Sequence, residues 1–185
     1  MRLYRICDTE FAHDPFSGLG GLYVPGRWHT RGTRIAYASP EQGTAMLEVL
    51  MNVRPEQLRA VPRSLAIDEI PDELVVALPR SRWPPRWPPR WPADVHDEAT
   101  RATGDAWVRE APSLWLLVPS AAASPPPFNV LVNPGHPEIA ALRIERTEPI
   151  DFNARLGSAP DEDDALGHDD PATNGDSVRD ESSRP

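Results

Sequence analysis

No lysine occurs in the 185 residues; all nineteen basic side chains are arginine. A lysine Schiff base is therefore excluded, and anion recognition falls to planar guanidinium groups. A single cysteine, Cys7, leaves no internal disulfide to form. No apolar run approaches the roughly 20 residues that a membrane helix requires, and Met1-Arg2-Leu3-Tyr4-Arg5 lacks the apolar core of a signal peptide. A soluble protein of the cytoplasm, without membrane contact, is the expectation. His13, His29, His96, His136 and His168 have no metal-ligand spacing with one another or with Cys7, so no metal is implied. An excess of positive charge is missing too. Of the formal net charge of -9, residues 157–185 carry nine acidic side chains against two arginines, which leaves the body nearly neutral. Neither part offers a surface that tracks phosphates, so direct nucleic-acid binding is not expected.

What is present suffices for one globular domain: 39% hydrophobic residues, six tryptophans among them. Strands are expected at Leu3–Cys7, Arg34–Ala38, Leu58–Asp68, Leu74–Leu78, Leu114–Val118, Phe128–Val132 and Ala141–Ile144. Between the first two, glycine and proline punctuate an irregular loop. Ser39-Pro40-Glu41-Gln42 reads as a helix start, with Ser39 as N-cap and Gln42 in capping-box position. Met46, Val49, Leu50 and Val53 follow as a core stripe, and Pro55 ends the helix. Asp94–Thr103 and Asp105–Glu110 read as two helical pieces broken at Gly104, with Asp105 as an N-cap. Trp-Pro-Pro-Arg repeats through Arg82–Pro92, where proline pairs forbid helix and ladder alike. A tolerated loop expansion is favoured there over a recognition surface of stacked Trp and Arg. The acidic segment 157–185 has too few large aliphatic residues to order itself and is expected to be a disordered tail after a domain spanning 1–156.

Pro25-Gly26-Arg27-Trp28-His29 concentrates the chemical signal. Glycine admits close backbone approach, and Arg27 can fork onto a phosphate or simply stack on Trp28. Tyr37 follows ten residues later on a strand and Glu48 eleven after that on a helix. By periodicity Glu48 lies nearly opposite the Met46-Val49-Leu50 stripe, which alone predicts a solvated glutamate. Ser120 follows Pro119 at a strand end with no nucleophile elbow around it, so positioning suits it better than nucleophilic attack. Ser17-Gly18-Leu19-Gly20-Gly21 lacks the Gly-Lys-Ser/Thr of a phosphate loop and is expected to border a cleft. His136, within Asn133-Pro134-Gly135-His136-Pro137, is expected to stabilise a turn.

Order and spacing of these motifs, from Leu3 to Leu156, resemble the RES-domain family, the toxin half of RES-Xre toxin-antitoxin modules, named for an arginine, a glutamate and a serine. Tyr4-Arg5, Ser17-Gly18, Gly26-Arg27-Trp28-His29, Gly104-Asp105-Ala106-Trp107, Val118-Pro119-Ser120, Asn133-Pro134-Gly135-His136-Pro137 and Phe152-Asn153-Ala154-Arg155-Leu156 carry the likeness. His29 stands where the family has asparagine, and Asn153 where it has aspartate. The resemblance implies an α+β fold, an ADP-ribosyltransferase-like core of two packed β-sheets with peripheral helices. It further implies cleavage of NAD at the nicotinamide-ribose bond, with NAD as substrate and no cofactor. The acceptor, whether water, phosphate or a protein side chain, stays open. Glu48, Arg27 and Tyr37 would then be catalytic, with Arg5 and Ser120 binding substrate. An Xre/ParS-like antitoxin is the implied partner, and a homodimer is compatible with the family. The rival reading is a catalytically degenerate RES domain that serves as a binding or interaction protein.

Overall fold

The structure is a computed structural model that describes residues 1–83 and 97–152. Among the described residues seven strands fall into two sheets. The first has the order β1-β3-β7, all antiparallel, from β1 (Arg2–Asp8), β3 (Arg63–Glu69) and β7 (Ile144–Ile150). The second has the order β2-β6-β5-β4, from β2 (Ala36–Ala38), β4 (Val75–Ala77), β5 (Trp115–Pro119) and β6 (Phe128–Val132). Its β4-β5 pair is parallel and the rest antiparallel. Helices α1 (Gln42–Asn52), α2 (Pro55–Ala60) and α3 (Glu98–Glu110) lie around them. This is the expected α+β fold of two packed β-sheets with peripheral helices.

Period-two alternation in the second sheet divides the core into two layers. Ala36, Ala38, Trp115, Val130 and Val132 pack with Leu3 and Ala66 of the first sheet. Alanines at three of these positions let the sheets approach closely. On the opposite face Leu116, Val118 and Leu131 pack with Trp28 and with Trp107 of α3, and Tyr37 lies against them. Tyr37 sits across from Leu131 in the β2-β6 register, which fixes the side of the sheet on which its ring stands.

Several local expectations are corrected. Helix α1 begins at Gln42 behind Glu41, because Ser39 is taken by the sheets: its backbone pairs with Tyr4 and its hydroxyl donates to Asn129 Oδ1 at 2.6 Å. Thr44 and Ala45 are the buried residues of α1, while Met46, Val49, Leu50 and Val53 are only half-buried. Leu58 belongs to α2, for which Pro55 is the first residue; β3 starts five residues after Leu58. Helix α3 runs unbroken through Gly104 and is capped by Asp97, whose carboxylate accepts from Ala99 N. Gly104 is there for packing: a Cβ at this position would stand 1.8 Å from the Trp28 carbonyl oxygen. The last strand starts at Ile144, behind a short 3-10 turn at Ile139–Ala141, and forms an edge whose residues are largely exposed. The Asn-Pro-Gly-His-Pro segment is the expected turn, with His136 N bonding Asn133 O and His136 Nδ1 accepting from Glu138 N. Most of the Trp-Pro-Pro-Arg repeat, Asn153, Arg155 and the acidic tail lie outside the described residues.

Candidate active site

A cavity of about 840 Å³ opens where β1, β2, α1 and the Pro25–Trp28 loop converge. Arg5, Arg27, Tyr37, Glu48 and Ser120 all line it, so the fold gathers residues drawn from 116 positions of sequence around one space. Ser17, Leu19 and Gly20 border it as well. Gly18 needs its left-handed backbone there (φ 66°), and a Cβ on it would meet Ile35 N at 2.7 Å.

Glu48 is held by two donors from the second sheet. Its Oε1 accepts from the Ser120 hydroxyl at 2.5 Å and from Asn129 Nδ2 at 2.6 Å. Asn52, one turn further along α1, donates to the Glu48 carbonyl at 2.8 Å and to Oε2 at 3.3 Å. Hydrogen bonds to an ionised carboxylate are about twice as strong as neutral ones, so this carboxylate is fixed in place rather than free to follow solvent. Ser120 has a single O–H, committed to Glu48, and its oxygen accepts from Ala122 N at 3.1 Å. Its position is that of an anchor for the glutamate. Asn129 is in turn oriented by Ser39, so the chain Ser39–Asn129–Glu48 couples the β2 end to α1.

Tyr37 Oη accepts from Trp28 N at 3.1 Å and is 2.7 Å from His29 Nδ1. Burial pushes the phenol far above the usual tyrosine range; the Trp28 N–H pulls it back, the Glu48 charge adds to the rise and the Arg27 charge opposes it. The tyrosine thus stays protonated while feeling both an anion and a cation across the cavity. Gly26 makes this packing possible, since a Cβ would lie 2.4 Å from His29 Cε1 and 2.8 Å from the Tyr37 hydroxyl.

Arg5, reaching out from β1, donates through Nε to the Pro15 carbonyl and through Nη1 to the Tyr37 carbonyl at 2.7 Å. It therefore stitches β1 to β2 and to the 15–17 loop while its guanidinium still borders the cavity. Arg27, on the Pro25–Trp28 loop, is half-buried and lines the same cavity. That loop is fastened by α3: Asp105 accepts from Thr30 N at 3.1 Å and from the Thr30 and Thr33 hydroxyls at 2.7 Å each, and Arg101 Nε donates to Gly26 O at 2.9 Å. Asp105 is thus a loop clasp within a helix, not the helix cap expected of it.

Sequence reasoning missed Asn129 and Asn52 as partners of Glu48. Asn129 carried a signal, being a polar residue on the Leu131 face of an otherwise apolar strand; 6% exposed, it had to find hydrogen-bond partners. Arg63 was missed as well. It lines the cavity beside Cys7 and pairs with Asp8 at 2.5 Å.

Residues 2–153 match the family described as the RES domain. A curated relative called Toxin Res, from Pseudomonas putida, is 37% identical over 147 residues, covering 78% of this chain and 92% of its own. A protein of Sphingobium sp. called Prs ADP-ribosylating toxin is 29% identical over 143 residues, with 77% and 87% covered. Among solved structures, the M. tuberculosis MbcT-MbcA toxin-antitoxin complex contains a chain that superposes with a TM-score of 0.57 at 18% identity, covering 81% of this chain and 84% of that one.

Proposed function

The chain belongs to the RES domain family, and from that premise we propose that it is a toxin that cleaves NAD at the nicotinamide-ribose bond. One observation carries the reading: a glutamate anchored by Ser120 and Asn129 lines the same cavity as Arg5 and Arg27. Breaking a bond from ribose to a cationic nicotinamide develops positive charge on the sugar carbon. An anion that is already fixed stabilises that charge without reorganising at the moment of reaction. Guanidinium groups suit the pyrophosphate, which they bind by planar forks, and Arg27 with Arg5 would supply them. Tyr37, between these charges, would pack against the nicotinamide-ribose end. A cavity of about 840 Å³ lies within the 300–1,000 Å³ typical of small-molecule sites.

The acceptor of the ADP-ribosyl group distinguishes hydrolysis, phosphorolysis and protein modification. The name of the Sphingobium relative favours ADP-ribose transfer. As a toxin this protein would be neutralised by an antitoxin, for which the solved toxin-antitoxin complex is the precedent. The expected antitoxin is of the Xre/ParS-like class.

Incubation of the purified chain with NAD, with nicotinamide release followed chromatographically, tests the reading. Glu48→Gln keeps the side-chain size and the helix but removes the anion, so release should fall by two orders of magnitude or more, on the order of the cost of losing one preorganised electrostatic group. Unchanged turnover in a folded Glu48→Gln protein, or no turnover by the parent chain, would sink it.

A further inference from the structure

A phenol has one O–H to donate and two lone pairs to offer. His29 Nε2 lies 3.1 Å from the Val24 carbonyl oxygen, which can only accept, so Nε2 carries the ring proton. In the neutral ring Nδ1 is then an acceptor, and the Tyr37 hydroxyl 2.7 Å away must donate to it. Trp28 N–H takes one of the two lone pairs. The hydroxyl is left with a lone pair and no proton for the cavity.

We propose, on the basis of the dinucleotide reading above, that His29 is a positioning residue that locks the Tyr37 hydroxyl as a hydrogen-bond acceptor. It thereby selects a ligand group that brings its own N–H or O–H, such as a ribose hydroxyl or a carboxamide. The lock is tight because Gly26 closes over both rings and Gly21 packs against His29, where added Cβ atoms would come within 2.4 Å and 3.1 Å of the imidazole.

The same geometry makes the selection depend on proton concentration. Burial lowers the His29 pKa below its ordinary 6.5; the Val24 carbonyl and the Asp105 carboxylate of α3 work against this, and Arg101 of α3 reinforces it. Glu48 from α1 and Arg27 act on Tyr37 itself. At neutral pH the ring is therefore neutral and accepts. When acid adds a proton at Nδ1, imidazolium becomes a donor to Tyr37, and the phenol must turn its O–H toward the cavity. An acceptor has then become a donor, and a ligand N–H or O–H loses its partner.

The Glu48→Gln protein, which should bind NAD without consuming it, allows affinity to be measured by calorimetry between about pH 8 and pH 5. We expect a roughly fivefold loss as His29 titrates, the scale of one hydrogen bond, absent when His29→Asn or Tyr37→Phe is added. Independently of any ligand, imidazole nitrogen shifts at about pH 8 should show the Nε2–H tautomer with a hydrogen-bonded Nδ1, and Tyr37→Phe should remove that bond. An Nδ1–H tautomer, an affinity constant through the His29 titration, or a step that persists in His29→Asn overturns the proposal. No NAD binding at any pH, with the imidazole signature intact, refutes the dinucleotide reading and leaves the His29–Tyr37 lock supported.

Discussion

Glu48 shows how a residue can be misplaced by periodicity and restored by its partners. On α1 it stands away from the Met46-Val49-Leu50 stripe, and local reasoning assigns it to solvent. The stripe itself is only half-buried, because α1 turns Thr44 and Ala45 inward and borders a cavity with the Glu48 side. Asn129 is the partner to test. Asn129→Ala removes a donor from Glu48 Oε1 and also the acceptor of the buried Ser39 hydroxyl. Two losses should follow. Stability should drop by about 1–3 kcal/mol, the cost of an unsatisfied buried polar group, read by denaturant unfolding. Nicotinamide release per folded molecule should fall on the order of 10²-fold, as a small misplacement of a catalytic group can cause. A loss of stability with turnover intact would mean that Ser120 and Asn52 suffice to orient the carboxylate. Arg27, Tyr37 and Glu48 were legible as residue types in a spaced pattern. Asn52, four residues along the same helix, was within reach of sequence reasoning, but Asn129 and, through it, Ser39 join the glutamate only when α1 meets β6.

At the scale of elements, α3 is the clasp of the arginine loop. Strand positions were legible from apolar runs except for the exposed, polar β7, but Gly104 reads as a break in sequence, because glycine is a poor helix former whose packing reason lies elsewhere in the chain. Its reason is Trp28, whose carbonyl occupies the space of a Cβ. Gly104→Ala should therefore destabilise the protein, although alanine favours a helix by about 1 kcal/mol. The clash is with backbone, and overpacking of this kind costs about 1–3 kcal/mol. A thermal midpoint that rises in Gly104→Ala would show that α3 and the loop are not held together there. Asp105 supplies the electrostatic half of the clasp. Burial alone would raise its pKa, but the hydrogen bonds from Thr33 and Thr30 together outweigh that and hold it below the ordinary 3.8. A depressed carboxyl pKa contributes stability that is complete above the unfolded value and lost as pH falls through the folded one. The stability gap between parent and Asp105→Asn should accordingly be open near pH 7 and close below pH 3.8. A gap that widens in acid would reverse the assignment.

Across the whole molecule, the candidate site belongs to neither sheet alone. Arg5 comes from β1 of the first sheet; Tyr37, Asn129 and Ser120 come from β2, β6 and the end of β5 in the second; Glu48 comes from the helix that follows β2. Ala66 of the first sheet and Ala36 and Ala38 of the second share one buried core with Leu3, Trp115, Val130 and Val132, so the two sheets are packed against each other beside the site. The fold class was legible because strands outnumber long amphipathic helices. The pairing β1-β3-β7 joins residues near both ends of the described chain, and no local pattern encodes so distant a contact. A ligand that bridges Arg5 and Glu48 must therefore find both sheets docked, and it should stabilise the native state as a unit. At a hundredfold excess over its Kd, binding to the folded state alone contributes about 2.7 kcal/mol. For a chain of this size that corresponds to about 5–10 °C. Differential scanning calorimetry of Glu48→Gln with NAD should show one transition shifted upward by this amount, and with nicotinamide alone a much smaller shift. Two separate transitions, only one of them moved by NAD, would mean that the sheets unfold independently and that the dinucleotide is held by one of them.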